Sequence, residues 1–503
     1  MSEETISTIR VRFGRRERRG VILGLQWSQI VVIAGCLLIV AILLWLQAWS
    51  LLGILVGPIF VAGFVGAARW RREPLLAYAL HILRFWREGA TKQWVARGGP
   101  AVVKQGRMTL PGGLGVIDIH ETSGQIGFSY DPTRRQFCFT LSVSTSNWPL
   151  LDESQRGAGV TGFISWMNGL TRVPGLMVAD IRMRTDFSSS TDVSDYIEQR
   201  IAHRLDHETS EGESSLEWSD AQARQAAALI EAAAMEFTYE ITFALSLNSL
   251  RDRRFTQRIN RAGGGLDGAG QVLELEAATQ IRALSRAGVN SVKALTADQL
   301  RISARRAYDP ETLIARQRAG WGAELATPEA VRPLAAMRRW DHLRIDETYH
   351  QVFWIGEWPT SDVPVGFLEE LVRDSGEFTR CVTLQLGPVS KEDALKKISN
   401  AQTDLDQAEN TRQKMGQRTT REQDAEAEEV TAREEDLSEG YREMEYRGFI
   451  TISASSREEL DEARNLIEVA AQEAQLEPKV LYFQQAAAFN TAVLPFGLGA
   501  VKK

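Results

Sequence analysis

From Gly20 to Ala68 the chain carries no charged residue, and nothing else in it limits the fold so strongly. These 49 residues exceed one membrane span of ~20 and suit two. Polarity rises briefly at Gln47, Ala48, Trp49 and Ser50. The spacing predicts a hairpin over 27–68, with spans at Trp27–Leu46 and Leu51–Ala67 and a very short turn between them. Trp27, Trp45, Trp49 and Trp70 stand near the four ends, where interfacial indoles belong.

The flanks set the orientation. Residues 1–26 form a basic N-terminus, with Arg15, Arg16, Arg18 and Arg19 just ahead of the first span, and Arg69, Arg71 and Arg72 follow the second. Basic flanks around a neutral turn predict a two-pass protein of the inner membrane, with both termini and the main body in the cytoplasm. The apolar stretch is too long for a cleaved signal peptide. In the second span, Gly53 and Gly57, and again Gly63 and Ala67, are four apart, a spacing that lets helices approach closely in lipid. Two readings fit this stripe: packing within the hairpin on Ala34 and Gly35, or docking of another membrane subunit. Residues 69–98 read as a juxtamembrane amphipathic helix. Its apolar face is Leu75, Leu76, Ala79, Ile82, Leu83 and Trp86, with Arg84, Arg87 and Lys92 nearby. Such a helix lies along the inner leaflet or packs on the soluble body.

Charge is divided unequally. Residues 1–97 hold 13 Lys/Arg against 5 Asp/Glu, while the remainder holds 45 against 60. A basic head on an acidic body argues against direct, specific nucleic-acid binding, which needs a clustered positive face. Cys36, Cys138 and Cys381 are far apart and odd in number, which excludes a disulfide scaffold and a cysteine-rich zinc site.

The body reads as α+β. Residues 99–250 form a first domain with strands at 116–119, 126–130, 137–143, 176–183 and 237–247, and helices at 152–170, 193–205 and 217–234. Residues 251–340 read as helical, with a capping box at Thr296 and Gln299. Residues 341–503 give strands at 352–357, 379–386, 449–453 and 480–483, with helices at 365–373 and from Ser455 or Ser456 to Ala474. The order β-α-β, helical hairpin (390–445), β-α-β is that of a ferredoxin-like unit with an insertion at its midpoint. The inserted hairpin, dense in charge, reads as a solvated arm or a narrow seam for a partner.

Catalytic patterns are weak. Gly263–Gly270 fits a dinucleotide-binding pattern formally, but the preceding segment is arginine-rich instead of strand-like, and a turn is the better reading. There is no P-loop motif, and Arg204 occupies the place of the glutamate in the His203/His207 pair. Ser165 lacks the glycines of a nucleophile elbow, and neither Asp341-His342 nor Asp346-Glu347 has an assignable nucleophile. No catalytic residue, cofactor or metal is expected.

Taken in order, several segments resemble a known family. The basic N-terminus, the tight hairpin and Arg69-Trp-Arg-Arg-Glu-Pro74 resemble the small PrgI/VirB-type inner-membrane subunit of conjugation and type IV secretion machines. The body resembles the N-terminal, non-motor half of their membrane-associated ATPase. The matching segments are Trp354-Ile-Gly-Glu-Trp-Pro359, Gly387-Pro388, Glu434–Gly440, Ser456–Leu460 and Gln484–Gly497. Together they are similar to an actinobacterial fusion family joining the two pieces. In the ATPases a motor domain follows the last segment, whereas here Lys503 is the last residue. The resemblance thus implies a non-catalytic membrane scaffold that recruits a separate P-loop ATPase. Other inner-membrane subunits, lipid and further copies of the chain are the remaining partners. It implies docking through Gln485, Phe489, Leu494 and Pro495, together with the charged hairpin. A type VII-like secretion component and a membrane-tethered enzyme stay open as alternatives.

Overall fold

Period-two alternation of apolar residues dominates the body, and a computed structural model shows what it builds. The structure describes residues 10–11, 27–47, 49–70, 73–90, 95–97, 107–111, 115–144, 151–187, 197–198, 200–202, 219–227, 235–247, 253–318, 323–359, 363–364, 366–374, 378–389, 391–415, 427–428, 430–435, 438 and 443–499. The chain divides into two compact units, one of residues 1–13, 95–395 and 435–503, the other of residues 14–94 and 396–434.

In the second unit, α1 (Trp27–Trp45) and α2 (Trp49–Ala67) pair as a hairpin, and Gln47 in the turn has φ +50°. Strands β2 (Arg69–Trp70) and β3 (Glu73–Pro74) pair antiparallel ahead of α3 (Leu75–Ala90). Among the described residues no helix is long and apolar enough to cross a membrane; in α1 the described side chains begin at Val31. The close contact within the hairpin is made by Gly66, where a Cβ would lie 2.8 Å from Cγ1 of Val32. Gly57 and Gly63 face open space, so they do not form the internal seam on Ala34 and Gly35. The side chains at positions 53 and 67 lie outside the described residues, as do Arg15, Arg16, Arg18, Arg19, Arg71 and Arg72 and the side chain of Arg69.

The first unit is built on one antiparallel sheet. Its strands are β4 (Val95–Arg97), β5 (Arg107–Thr109), β6 (Val116–Glu121), β7 (Gly127–Asp131), β8 (Gln136–Ser144), β9 (Leu176–Phe187), β10 (Met235–Ser246), β11 (Ser291–Ala294), β12 (Ala335–Arg338), β13 (Leu343–Ile345), β14 (Thr348–Glu357), β16 (Thr379–Pro388), β17 (Met444–Ala454) and β18 (Glu477–Val480). The order is β4-β12-β13-β14-β17-β16-β9-β10-β8-β7-β6-β5, with β11 beside β8 and β18 beside β14. A separate two-stranded pair joins β1 (Arg10–Val11), ahead of the hairpin, to β15 (Val363–Pro364).

Two stretches of this sheet repeat one arrangement. The first runs β8, helix α4 (Glu153–Leu170), β9, an insertion, β10, helices α5 (Arg254–Arg261) and α6 (Gly265–Arg286), β11, in spatial order β11-β8-β10-β9. The second runs β14, a turn, β16, an insertion, β17, helix α11 (Arg457–Glu473), β18, in spatial order β18-β14-β17-β16. The second strands of the two repeats pair antiparallel, Arg182 opposite Thr383, so one ladder joins both. The pieces anticipated as a first domain, a helical region and a C-terminal domain therefore share one sheet. The insertions occupy equivalent places. In the second, α10 (Lys391–Met415) is joined to the 430–435 helix by Gln402 Nε2 donating to Glu434 Oε2 at 2.6 Å, and Ile398 and Val430 are buried.

Helices cover one face of each repeat. Phe139, Ile241 and Phe243 pack under α4 and α6, and Phe353, Ile450 and Ile452 pack under α11. The other face receives α7 (Ala297–Tyr308), α8 (Pro310–Arg318), α9 (Pro328–Val331) and α12 (Gln485–Ala492), with the segment after α12. Residues from both ends of the strand order, Met108 and Ile117 on one side and Ala336 and Ile345 on the other, belong to the same core cluster as Phe489 of α12. Gly127 permits a close approach here, since a Cβ would lie 2.5 Å from the backbone of Thr296, the N-cap of α7.

Two elements differ from expectation. The helix anticipated at 365–373 shrinks to one π-helical turn, Glu370–Asp374, because Pro364 and Gly366 (φ +94°) hold the chain out of the helical region first. The last strand lies at Glu477–Val480, not 480–483: Phe483 has φ +64° and donates its N–H to the Trp340 carbonyl, which ends the ladder.

Candidate functional site

Strands β8, β9, β10 and β16 are apolar on the helix-covered face and polar on the other. Gln136 and Thr140, Glu240 and Thr242, Asp180, Arg182 and Arg184, and Thr383 and Gln385 all project to this second face, and all are buried. Such a face would ordinarily meet water. Here α12 and the strap that follows it, residues 493–499, lie across it.

Backbone chemistry explains the match. The last carbonyls of a helix have no intrahelical partner, and an extended strap outside any ladder has none either. The sheet supplies them one by one. Gln385 donates to the Thr491 carbonyl at 3.4 Å, Thr383 to Ala492 at 2.6 Å, Arg184 to Val493 at 3.3 Å and Arg182 to Leu494 at 3.2 Å. Thr140 donates to Pro495 at 3.4 Å, the Cys138 thiol to Phe496 at 2.9 Å and Gln136 to Gly497 at 2.6 Å. Two guanidinium groups at the C-terminal end of α12 also oppose the negative end of its dipole. Gly497 (φ +53°) turns the strap away, and a Cβ there would lie 2.5 Å from Cβ of Ala244.

The donors are themselves held. Arg182 Nη2 donates to Thr242 Oγ1 and to Glu240 Oε2 at 3.2 Å, and Ser303 Oγ donates to Glu240 Oε1 at 2.7 Å. With Thr140 donating to Pro495, Thr242 donates to Thr140 at 2.7 Å, so a chain of hydrogen bonds runs from Arg182 to the strap. Burial pushes the Glu240 carboxyl up, but Arg182 and Arg184 outweigh it and hold it below the usual range. Burial takes Asp180 up to about 7 despite Arg182, and takes the Cys138 thiol up to about 12.

The four residues expected to dock a partner lie in this part of the core. The Gln485 side chain accepts from the Val352 N–H at 2.8 Å and donates back to its carbonyl at 3.1 Å, standing in for a strand neighbour of β14. The Phe489 ring packs on those of His350 and Tyr308, 4.6 and 6.2 Å away between centroids. Leu494 is fully buried, and Pro495 is buried beside it. All four residues are buried in the core. Sequence reasoning missed Arg182, Arg184 and Glu240. Their signal was the alternation Asp180-x-Arg182-x-Arg184-x-Asp186, which by itself reads as a wetted face.

The remaining candidates are structural or lie elsewhere. Gly263, Gly264 and Gly265 all have positive φ and form the turn between α5 and α6, with a helix where a dinucleotide site needs a strand. Ser165 is exposed on α4. Asp341 accepts from Arg457 Nη2 at 2.8 Å and lies 2.8 Å from His342 Nδ1. Burial works against the ionised form of Asp341, yet these two neighbours hold its carboxyl down at about 2. Asp346 (φ +51°) accepts from the N–H groups of Leu334 and Ala335 and from Arg305. His203 and His207 lie outside the described residues. Among the described residues no group of three or more His, Cys, Asp or Glu could hold a metal ion. No protein-family model matches the chain, and no curated protein is significantly similar to it.

Proposed function

We propose that the chain is a membrane-anchored, non-catalytic scaffold of a translocation machine of the conjugation or type IV secretion kind. In this reading it recruits a separate P-loop ATPase to an inner-membrane channel. The uncharged helical hairpin between basic flanks carries the anchoring part. Its two helices, of 19 residues each, carry no charged residue, which is what supports this part of the reading. The β1–β15 pair supports an even number of crossings, because a strand ahead of the hairpin reaches one behind it only on the same side of the membrane. The body reads as two ferredoxin-like units of the same strand order, the second with only a short turn in place of the helix expected at 365–373. The ATPase rests on the family resemblance alone. The charged hairpin at 390–445 is the docking surface proposed for it.

Purification of the tagged protein from native membranes in mild detergent, with co-eluting proteins identified, tests this reading. A near-stoichiometric P-loop ATPase, lost when residues 396–434 are replaced by a short linker, is the expected result. A complex without an ATPase sinks the recruitment claim, and one carrying small secreted helical-pair proteins moves the chain to a type VII-like machine. Recovery of the protein in the soluble fraction removes the anchor.

A further inference from the structure

We propose that α3 is a bilayer-surface helix that docks on anionic lipid headgroups, a surface role beyond the anchor and resting on that reading. The helix follows the hairpin, with the seven residues 68–74, which include β2 and β3, between it and α2. Its residues Ala79, Ile82, Leu83 and Trp86 recur at helical spacing and are all exposed, Leu83 at 67% and Trp86 at 68%. Phe85, on another side of the helix, is buried. An apolar stripe this exposed is costly in water and natural at the headgroup boundary, where indoles also settle. The hairpin also exposes apolar residues, at Phe60, Val61 and Phe64 of α2.

Charge selects the lipid. Between Arg69 and Arg97 there are seven basic residues and two acidic ones. Arg87 is exposed beside the stripe. A basic amphipathic helix next to a membrane anchor is drawn to a negative leaflet and held within a Debye length of it. A protein partner of acidic character is the competing occupant, and the test separates the two.

The full-length protein with Cys36→Ala and Leu83→Cys carries an environment-sensitive fluorophore at position 83, while Cys138 and Cys381 are buried and stay unlabelled. It is reconstituted in vesicles of phosphatidylcholine, with and without phosphatidylglycerol. Quenching by a nitroxide on the acyl chain is compared with quenching by a water-soluble nickel chelate. A companion sample labelled at native Cys36 in α1 reports insertion of the hairpin. We expect position 83 to be quenched several-fold better from lipid than from water in anionic vesicles, with the ratio falling in phosphatidylcholine alone. Lipid quenching at Cys36 with water-side quenching at 83 overturns the inference and leaves the anchor intact. Water-side quenching at both positions overturns the anchor as well. Equal lipid quenching in the two vesicle types removes the electrostatic selection.

Discussion

Replacing Arg182 with methionine tests whether the polar face holds the strap. The guanidinium is 1% exposed and has three acceptors: Leu494 O, Glu240 Oε2 and Thr242 Oγ1. Methionine fills much of the same volume, so cavity formation is a minor contribution. The main cost is the carboxylate left behind. Removing one partner of a buried ion pair typically costs ~3–5 kcal/mol. Arg184 and Ser303 still face Glu240, which places the expected loss near the lower end, about 3 kcal/mol. Urea unfolding of the purified protein, followed by tryptophan fluorescence, measures it. Adding Glu240→Gln to Arg182→Met should recover part of the loss, since the uncompensated charge disappears. The pH dependence has a definite sign. In the wild type, Glu240 has a lowered carboxyl pKa, so its stabilisation is present above the unfolded-state value and fades as pH falls through the folded value. In Arg182→Met the carboxyl pKa moves up, so the deficit shrinks as pH falls and Glu240 protonates. A loss under about 1 kcal/mol, or strict additivity in the double variant, would refute the claim that this pair secures the strap.

Other outcomes follow from the same packing. Leu494→Ala should cost about 2–5 kcal/mol in the same unfolding assay, as expected for a core residue and not for a docking residue. Asp180→Asn should stabilise the protein more at pH 8 than at pH 5: a carboxyl raised to about 7 opposes folding above that pH, by up to roughly 4 kcal/mol, and the penalty fades as pH falls. Gly127→Ala should destabilise by about 1–3 kcal/mol, because its Cβ would press on the Thr296 backbone. A maleimide should modify Cys138 only at the rate of unfolding, since the thiol is buried and its pKa lies near 12; fast labelling of the native protein would show that the strap lifts.

Much of the secondary structure was legible from short-range pattern. The helix opening at Asp152, the capping box at Thr296/Gln299, the start of α11 at Ser456 and the alternating strands β8, β10 and β17 follow from local hydrogen bonding and two-residue periodicity. The paired helices follow from 49 residues without charge. Elements whose limits depend on a distant partner were not legible. The end of β18 is set by Trp340, and β11 forms only because β8 offers it an edge.

The sequence alone determined which residues alternate, which stretch avoids charge and where the helices begin, since each depends on neighbours within a few positions. It could not say that the charged face of β9 is dry. That depends on α12 and its strap, more than 300 residues away, whose carbonyls need the donors that this face presents. Nor did it reveal the duplication, because the two units share strand order and direction, and strand order is a property of pairing between distant segments. Only the folded sheet decided that Gln485, Phe489, Leu494 and Pro495 are buried: an apolar, proline-containing segment looks the same in sequence whether a partner or the chain's own polar groove receives it.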